Sequence, residues 1–155
     1  MRRLLLLLVV LAGCGKAVPP YEGRTVEDLR RQLGEADANR QAQAATGLSL
    51  HGAAALPALP ELVPLLKGES PLARQQAALA LGAIGPEAAD AVGPLTQVLS
   101  DPEWAVRRQA ALALGKLGPS AKTALPTLRK LSQGDANGLV KKAAQEAAST
   151  LDKAR

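Results

Sequence analysis

Phenylalanine is absent from this chain of 155 residues, and tryptophan, tyrosine, cysteine and histidine occur once each. A core without Phe must be built from Leu, Val, Ile and Ala, which suits closely packed helices with small side chains between them. One cysteine, Cys14, allows no internal disulfide. His51 has no second His, no free Cys and no carboxylate at ligand spacing, so neither a zinc site nor a Ser-His-Asp arrangement has support. The glycines are scattered as helix stops and form no phosphate-binding loop. No aromatic residues interleave the basic ones, which argues against nucleic acid as a partner. The sequence therefore predicts no enzyme, no cofactor and no metal.

What is present is repetition. The stretch RQQAALALGAIGP, Arg74 to Pro86, recurs as RRQAALALGKLGP, Arg107 to Pro119, at an offset of 33 residues. Weaker copies lie one period to either side, and a fixed period of this length identifies a repeat array before any other feature is read. Adding 33 maps Val26 onto Leu59, Val92 and Leu125, and Leu29 onto Leu62, Leu95 and Leu128. These are second-helix columns. First-helix columns are Ala44, Ala77, Ala110 and Ala143, then Leu48, Leu81, Leu114 and Ala147. The register is expected to run to the C-terminus without insertion. It gives a lone second helix, three full helix pairs and a lone first helix.

The punctuation has physical causes. Thr25 is a candidate N-cap with Glu27 and Asp28 in the first turn, and Gly34 a stop. Gly85-Pro86 and Gly118-Pro119 close first helices, because Gly can take a left-handed C′ conformation and Pro cannot continue the helix. Ser70-Pro71 and Asp101-Pro102 are expected to open helices as N-cap and N1. Gly82 and Gly115 fall inside helices, where each costs about 1 kcal/mol relative to Ala. Their column predicts a neighbouring helix backbone close by.

The N-terminus has its own pattern. Arg2 and Arg3 precede an apolar run, Leu4 to Ala12, far shorter than the roughly 20 residues of a membrane-spanning helix. Leu11-Ala12-Gly13-Cys14 resembles the lipobox of bacterial lipoproteins. The resemblance implies a signal peptide over residues 1–13, cleavage before Cys14, lipidation of its thiol and acylation of its new amino group. That places the protein in the bacterial cell envelope, anchored in the outer membrane or on the periplasmic side of the inner one. Residues 14–24, with Pro19-Pro20, read as a tether, and about ten residues span at most roughly 35 Å. The repeat domain occupies residues 25–155.

The segment DPEWAVRRQAALALGKLGPSAKTALPTLRKL, Asp101 to Leu131, resembles a HEAT repeat of the short bacterial kind, similar to the bilin-lyase HEAT-like group. Asp101-Pro102, Val106-Arg107, the run Ala110 to Gly115, and Ala124 to Pro126 carry the resemblance. Pro71 to Leu99 matches nearly as well. The first copy departs, with Thr46, Gly47, Ser49 and His51 in place of Leu112, Ala113, Gly115 and Leu117. The implied fold is all-α, a right-handed α-solenoid of antiparallel helix pairs with about three full repeats and a capping helix at each end. The resemblance also implies a pair of the Asp101/Arg107 type between adjacent repeats.

Charge is unevenly placed. From Cys14 to Glu103 there are 7 basic and 11 acidic residues, and from Trp104 to Arg155 there are 10 and 3. Second helices are expected to line the concave face of a solenoid, the usual binding surface. The candidate partner-binding residues are Thr96, Gln97, Trp104, Arg108, Arg129, Lys130 and Lys141. Trp104 either packs over a repeat junction or stands exposed as an interface hot spot. The function predicted is a non-catalytic, lipid-anchored scaffold, a monomer with an acidic protein partner. Two alternatives are a membrane-surface protein docking its basic end on anionic headgroups, and a lyase-like or ligand-carrying role by family analogy.

Two further expectations concern the first repeat. Pro57, Pro60 and Pro64 predict a second helix that starts late or kinks. Thr46, Gly47 and His51 predict a helix over Arg40 to Leu50 that is less stable than the one over Arg107 to Leu117.

Overall fold

The computed structural model describes residues 21–154. Cys14, the signal-like segment and most of the tether lie outside the described residues. Eight α-helices follow in order among the described residues: α1 Val26–Leu33, α2 Ala38–His51, α3 Leu59–Leu65, α4 Pro71–Ile84, α5 Val92–Val98, α6 Trp104–Leu117, α7 Leu125–Gly134 and α8 Gly138–Lys153. Three 3-10 turns, Gly52–Ala58, Gly85–Ala91 and Gly118–Ala124, join α2 to α3, α4 to α5 and α6 to α7. The architecture is the expected α-solenoid.

The long helices α2, α4, α6 and α8 form one continuous layer, each packed on the next. Their buried faces are mostly alanine, with one leucine column, Leu48, Leu81 and Leu114, fully buried. Small side chains let the backbones approach. At Gly82 a Cβ would lie 2.9 Å from the Ala113 Cα, and at Gly115 one would lie 3.2 Å from the Ala147 Cα. The close passage anticipated from those glycines is therefore found. The short helices α1, α3, α5 and α7 form the second layer and bury Leu29, Leu62, Leu95 and Leu128 completely. Each short helix lies closer to the long helix that follows it than to the long helix of its own repeat. The packing pairs are thus α1/α2, α3/α4, α5/α6 and α7/α8, so the helices read as lone caps each have a partner.

The 3-10 turns explain this pairing. Each opens with a glycine at positive φ, 54°, 86° and 69° for Gly52, Gly85 and Gly118, with ψ between −133° and −147°. This is not the left-handed helical conformation expected, but a region that essentially only Gly reaches. Three residues per turn then align every third side chain. Ala55 and Ala58, Ala88 and Ala91, and Ala121 and Ala124 are accordingly all fully buried. The turn fills the space between layers and sets the second helix apart from the first.

Several boundaries differ from expectation. Ser70 caps α4 as predicted, its hydroxyl accepting from the Ala73 N–H. Asp101 does not cap α6, which begins at Trp104 after Glu103; its carboxylate instead accepts from the Glu103 N–H. Thr25 caps α1 in a reciprocal capping box with Asp28. The last copy is offset by one extra residue. Asp101 corresponds to Asp135 and Val106 to the buried Val140, and Ala113 and Leu117 correspond to Ala147 and Leu151. The insertion lies in the turn before α8, and the alanines equivalent to Ala110 and Leu114 are Ala144 and Ala148, not Ala143 and Ala147.

The second helix of repeat one starts late, at Leu59, but Pro64 is not the cause. Equivalent 3-10 turns delay α5 and α7, and α3 and α5 have the same length, 7 residues each. Thr46 also costs less than its column suggested, because Leu79 and Leu112 there are only half-buried. His51 is the real loss, standing where Ile84 and Leu117 are buried. Gly47 has compensation, since Tyr21 and Leu29 pack where a Cβ would point.

Candidate functional site

A ladder of arginine and aspartate runs between the repeats. Arg74 on α4 donates from Nε to Asp101 Oδ2 at 2.7 Å and from Nη2 to Oδ1 at 2.9 Å. Its Nη1 donates to the carbonyls of Gly68 and Glu69, both at 3.0 Å. One repeat on, Arg107 binds Asp135 the same way at 2.7 and 3.0 Å, with Nη1 on the carbonyls of Asp101 and Pro102. The expected Asp/Arg device exists, but with different partners: Asp101 takes Arg74, and Arg107 takes Asp135. The fixed fork of guanidinium suits this two-pronged geometry as an ammonium would not.

Charge states follow. Burial opposes ionisation of Asp101, yet the bonds from Arg74 and the Glu103 N–H outweigh it and hold the carboxyl below its usual range. Asp135 is held low chiefly by its bond from Arg107. Both guanidiniums are shifted upward by the same bonds. These four side chains are structural, since their strong donors and acceptors face one another. The ladder fades at its ends. Gln41 stands in the arginine column and donates only to carbonyls, of Leu33 and Glu35. Lys141 occupies the column in α8 and is exposed.

The predicted partner residues divide between the two layers. Thr96 and Gln97 lie on α5, Arg129 and Lys130 on α7; Trp104, Arg108 and Lys141 lie on α6 and α8. The Thr96 hydroxyl donates to the Val92 carbonyl at 2.7 Å, while Gln97 is exposed. Arg129 is not a free cation, since Nη2 reaches Asp152 at 2.8 Å. Lys130 lines a groove of about 470 Å³ with Leu99, Thr127 and Leu131, and the ladder residues Asp101, Arg107 and Asp135 line it too. Arg108 lines a smaller cleft of about 150 Å³ between α6 and α8, with Leu112, Leu139 and Lys142. Trp104 is 43% exposed at the first position of α6. His51 is half-buried, its Nε2 3.1 Å from the Arg24 carbonyl oxygen.

Sequence reading passed over Arg74, Asp135 and Leu139. Asp135 was hidden by the one-residue insertion, and its signal was the Asp-x-Asn pattern before α8. Leu139, 53% exposed, looks like an ordinary helix residue until the neighbouring helix is placed. Among the described residues no cluster of three His, Cys, Asp or Glu side chains could hold a metal ion. Among them also, no helix is long and apolar enough to cross a membrane.

Stacked helix pairs with a 33-residue period, glycine-mediated contacts and a repeated Arg–Asp rung define a solenoid repeat protein. Residues 59–149 match the HEAT repeats family, and the chain belongs to it. It is also similar to the crystal structure of an engineered protein, with a TM-score of 0.71 and 27% identity over 82% of this chain. The chain spans 62% of that protein's length. No curated protein matches it.

Proposed function

We propose that the chain is a lipid-anchored, non-catalytic scaffold of the bacterial cell envelope that binds an acidic protein through its short-helix layer. The observation that carries this reading is the fate of the basic residues. The ladder arginines and Arg129 are matched by carboxylates. Among the described residues Lys122, in the turn before α7, and Lys130, on α7, have no carboxylate within ion-pair distance, and Lys116 and Lys141 on the long helices are likewise unpaired. Unpaired like charges on one surface raise its potential, steer an oppositely charged partner and repel similar ones. Lys130 is the unpaired cation at a groove whose lining also holds Leu131, Thr127 and the paired Arg107 and Asp135, which supplies the mixed lining a protein contact needs. Cys14 would hold this surface near the membrane.

Crosslinking in the native envelope, followed by isolation of the protein, tests the partner. Lys130→Glu should abolish the crosslinked species that the parent chain gives, while leaving the fold intact by circular dichroism. Persistence of that species would refute the placement. Cys14→Ser tests the anchor separately: it should release the protein to the soluble fraction or leave an uncleaved precursor, and normal processing with unchanged fractionation would refute lipidation.

A further inference from the structure

The long-helix layer carries an apolar edge that the binding reading does not use. Leu72 is 48% exposed at the second position of α4, Trp104 stands at the first of α6 and Leu139 at the second of α8. The neighbouring long helices α4, α6 and α8 thus each show a large apolar group in the first turn. Packed helices lie about 8–10 Å apart, so the ridge extends for roughly 20 Å. Solvated helix starts gain nothing from such residues, and a row of them marks an interaction surface.

Cations flank the ridge. On α6, Arg108 lies one turn beyond Trp104 on the same face, and Leu112 one turn further. On α8, Lys142 follows Leu139 by three residues and meets Arg108 across the shared cleft. Lys141 is exposed beside it. The carboxylate of the cleft, Glu146, sits at its far end, 3.9 Å from Lys142. Glu69 and Glu103 are exposed in the turns before α4 and α6, so the ridge is basic toward α8 and mixed toward α4.

We propose that this edge, Trp104 and Leu139 with Arg108, Lys141 and Lys142, rests on an anionic lipid surface. Tryptophan settles at a membrane–water boundary because its ring is apolar and its N–H is not. Leucine enters the outer acyl region, and basic side chains meet the anionic headgroups. The Lys130 groove also takes in Asp101 and Arg107 at the start of α6, so the two surfaces adjoin at that end of the helix. The inference rests on the anchored reading for its proximity to a bilayer, but its surface is independent of Cys14.

Trp104 is the one tryptophan of the chain, so its fluorescence reports this edge alone. The full chain carrying Cys14→Ser is mixed with vesicles of phosphatidylcholine, with or without phosphatidylglycerol. Trp104 emission should move to shorter wavelength and lose access to acrylamide only on the anionic vesicles. Arg108→Gln with Lys142→Gln should lower affinity for them roughly 30-fold, each cation near an anionic surface contributing about a factor of five. Unchanged emission on anionic vesicles would overturn the proposal, as would an equal shift on phosphatidylcholine or one that survives the double substitution. A shift with an acidic amphipathic peptide but none with vesicles would assign the edge to a protein. If Cys14→Ser leaves envelope fractionation unaltered while the Trp104 shift holds, the anchor reading fails and the lipid-facing edge stands.

Discussion

Gly82 faces the backbone of Ala113 so closely that a Cβ on Gly82 would lie 2.9 Å from the Ala113 Cα. Backbone cannot yield as the end of a side chain can. Gly82→Ala gains about 1 kcal/mol of helix propensity but overpacks a contact at a typical cost of about 1–3 kcal/mol. It is expected to lower stability by about 1 kcal/mol net. Gly115, with 3.2 Å available, should tolerate alanine better. Urea unfolding of the two variants checks the order, and a more stable Gly82→Ala protein would contradict the close packing.

The ladder predicts a pH dependence. Asp101 and Asp135 both have carboxyl pKa values below the ordinary one. Such a group contributes stability that is complete above the unfolded-state pKa, near 3.9, and is lost as pH falls through the lower folded value. The melting temperature should therefore fall as pH drops below about 4. Asp135→Asn should blunt that fall and lower stability at neutral pH by about 2–3 kcal/mol, because it leaves Arg107 largely buried without its carboxylate. Parallel acid titrations of parent and variant provide the measurement.

Burial separates two neighbouring leucines. Leu114 is fully buried and Leu112 is half-buried two residues away. Leu114→Ala should cost about 2–5 kcal/mol, and Leu112→Ala about 1 kcal/mol or less, since little of its surface changes environment. Equal losses on chemical denaturation would show that the long-helix layer is not oriented as described.

Protection should follow position in the stack. α4 and α6 each have a long helix on both sides, whereas α2 and α8 have one on a single side. In a quasi-one-dimensional array stability comes from nearest neighbours, so amides of α2 and α8 should exchange faster than those of α4 and α6. Exchange mass spectrometry on peptides from the four helices decides this, and uniform protection would count against it.

The architecture was legible because every repeat states it again. The alanine and leucine columns, the Gly-Pro stops and Gly82 and Gly115 each appear two or more times at one spacing, so chance explanations fall away. What escaped was non-repeating or relational. A single inserted residue before α8 shifted Asp135 out of its column, and the ladder was read as Asp101 with Arg107 because sequence does not show which loop a guanidinium reaches. Thr46 looked like a lost core residue because its column is leucine elsewhere, although those leucines are half-exposed. The candidate surface was legible only as composition. Its basic residues were visible, but their division between two layers and the pairing of Arg129 with Asp152 required the helices in place.

The offset between repeat and packing pair has a mechanical consequence. Each 3-10 turn connects helices belonging to different pairs, so the covalent chain crosses every boundary of the stack. A pull on the N-terminal end would load the α1/α2 pair first and reach the next only through the Gly52–Ala58 turn. Released pairs would peel off in succession, each paying out up to roughly 110 Å of extended chain per 33-residue period. Such a molecule would behave as a graded extensible strap, yielding in steps and rewinding when tension falls.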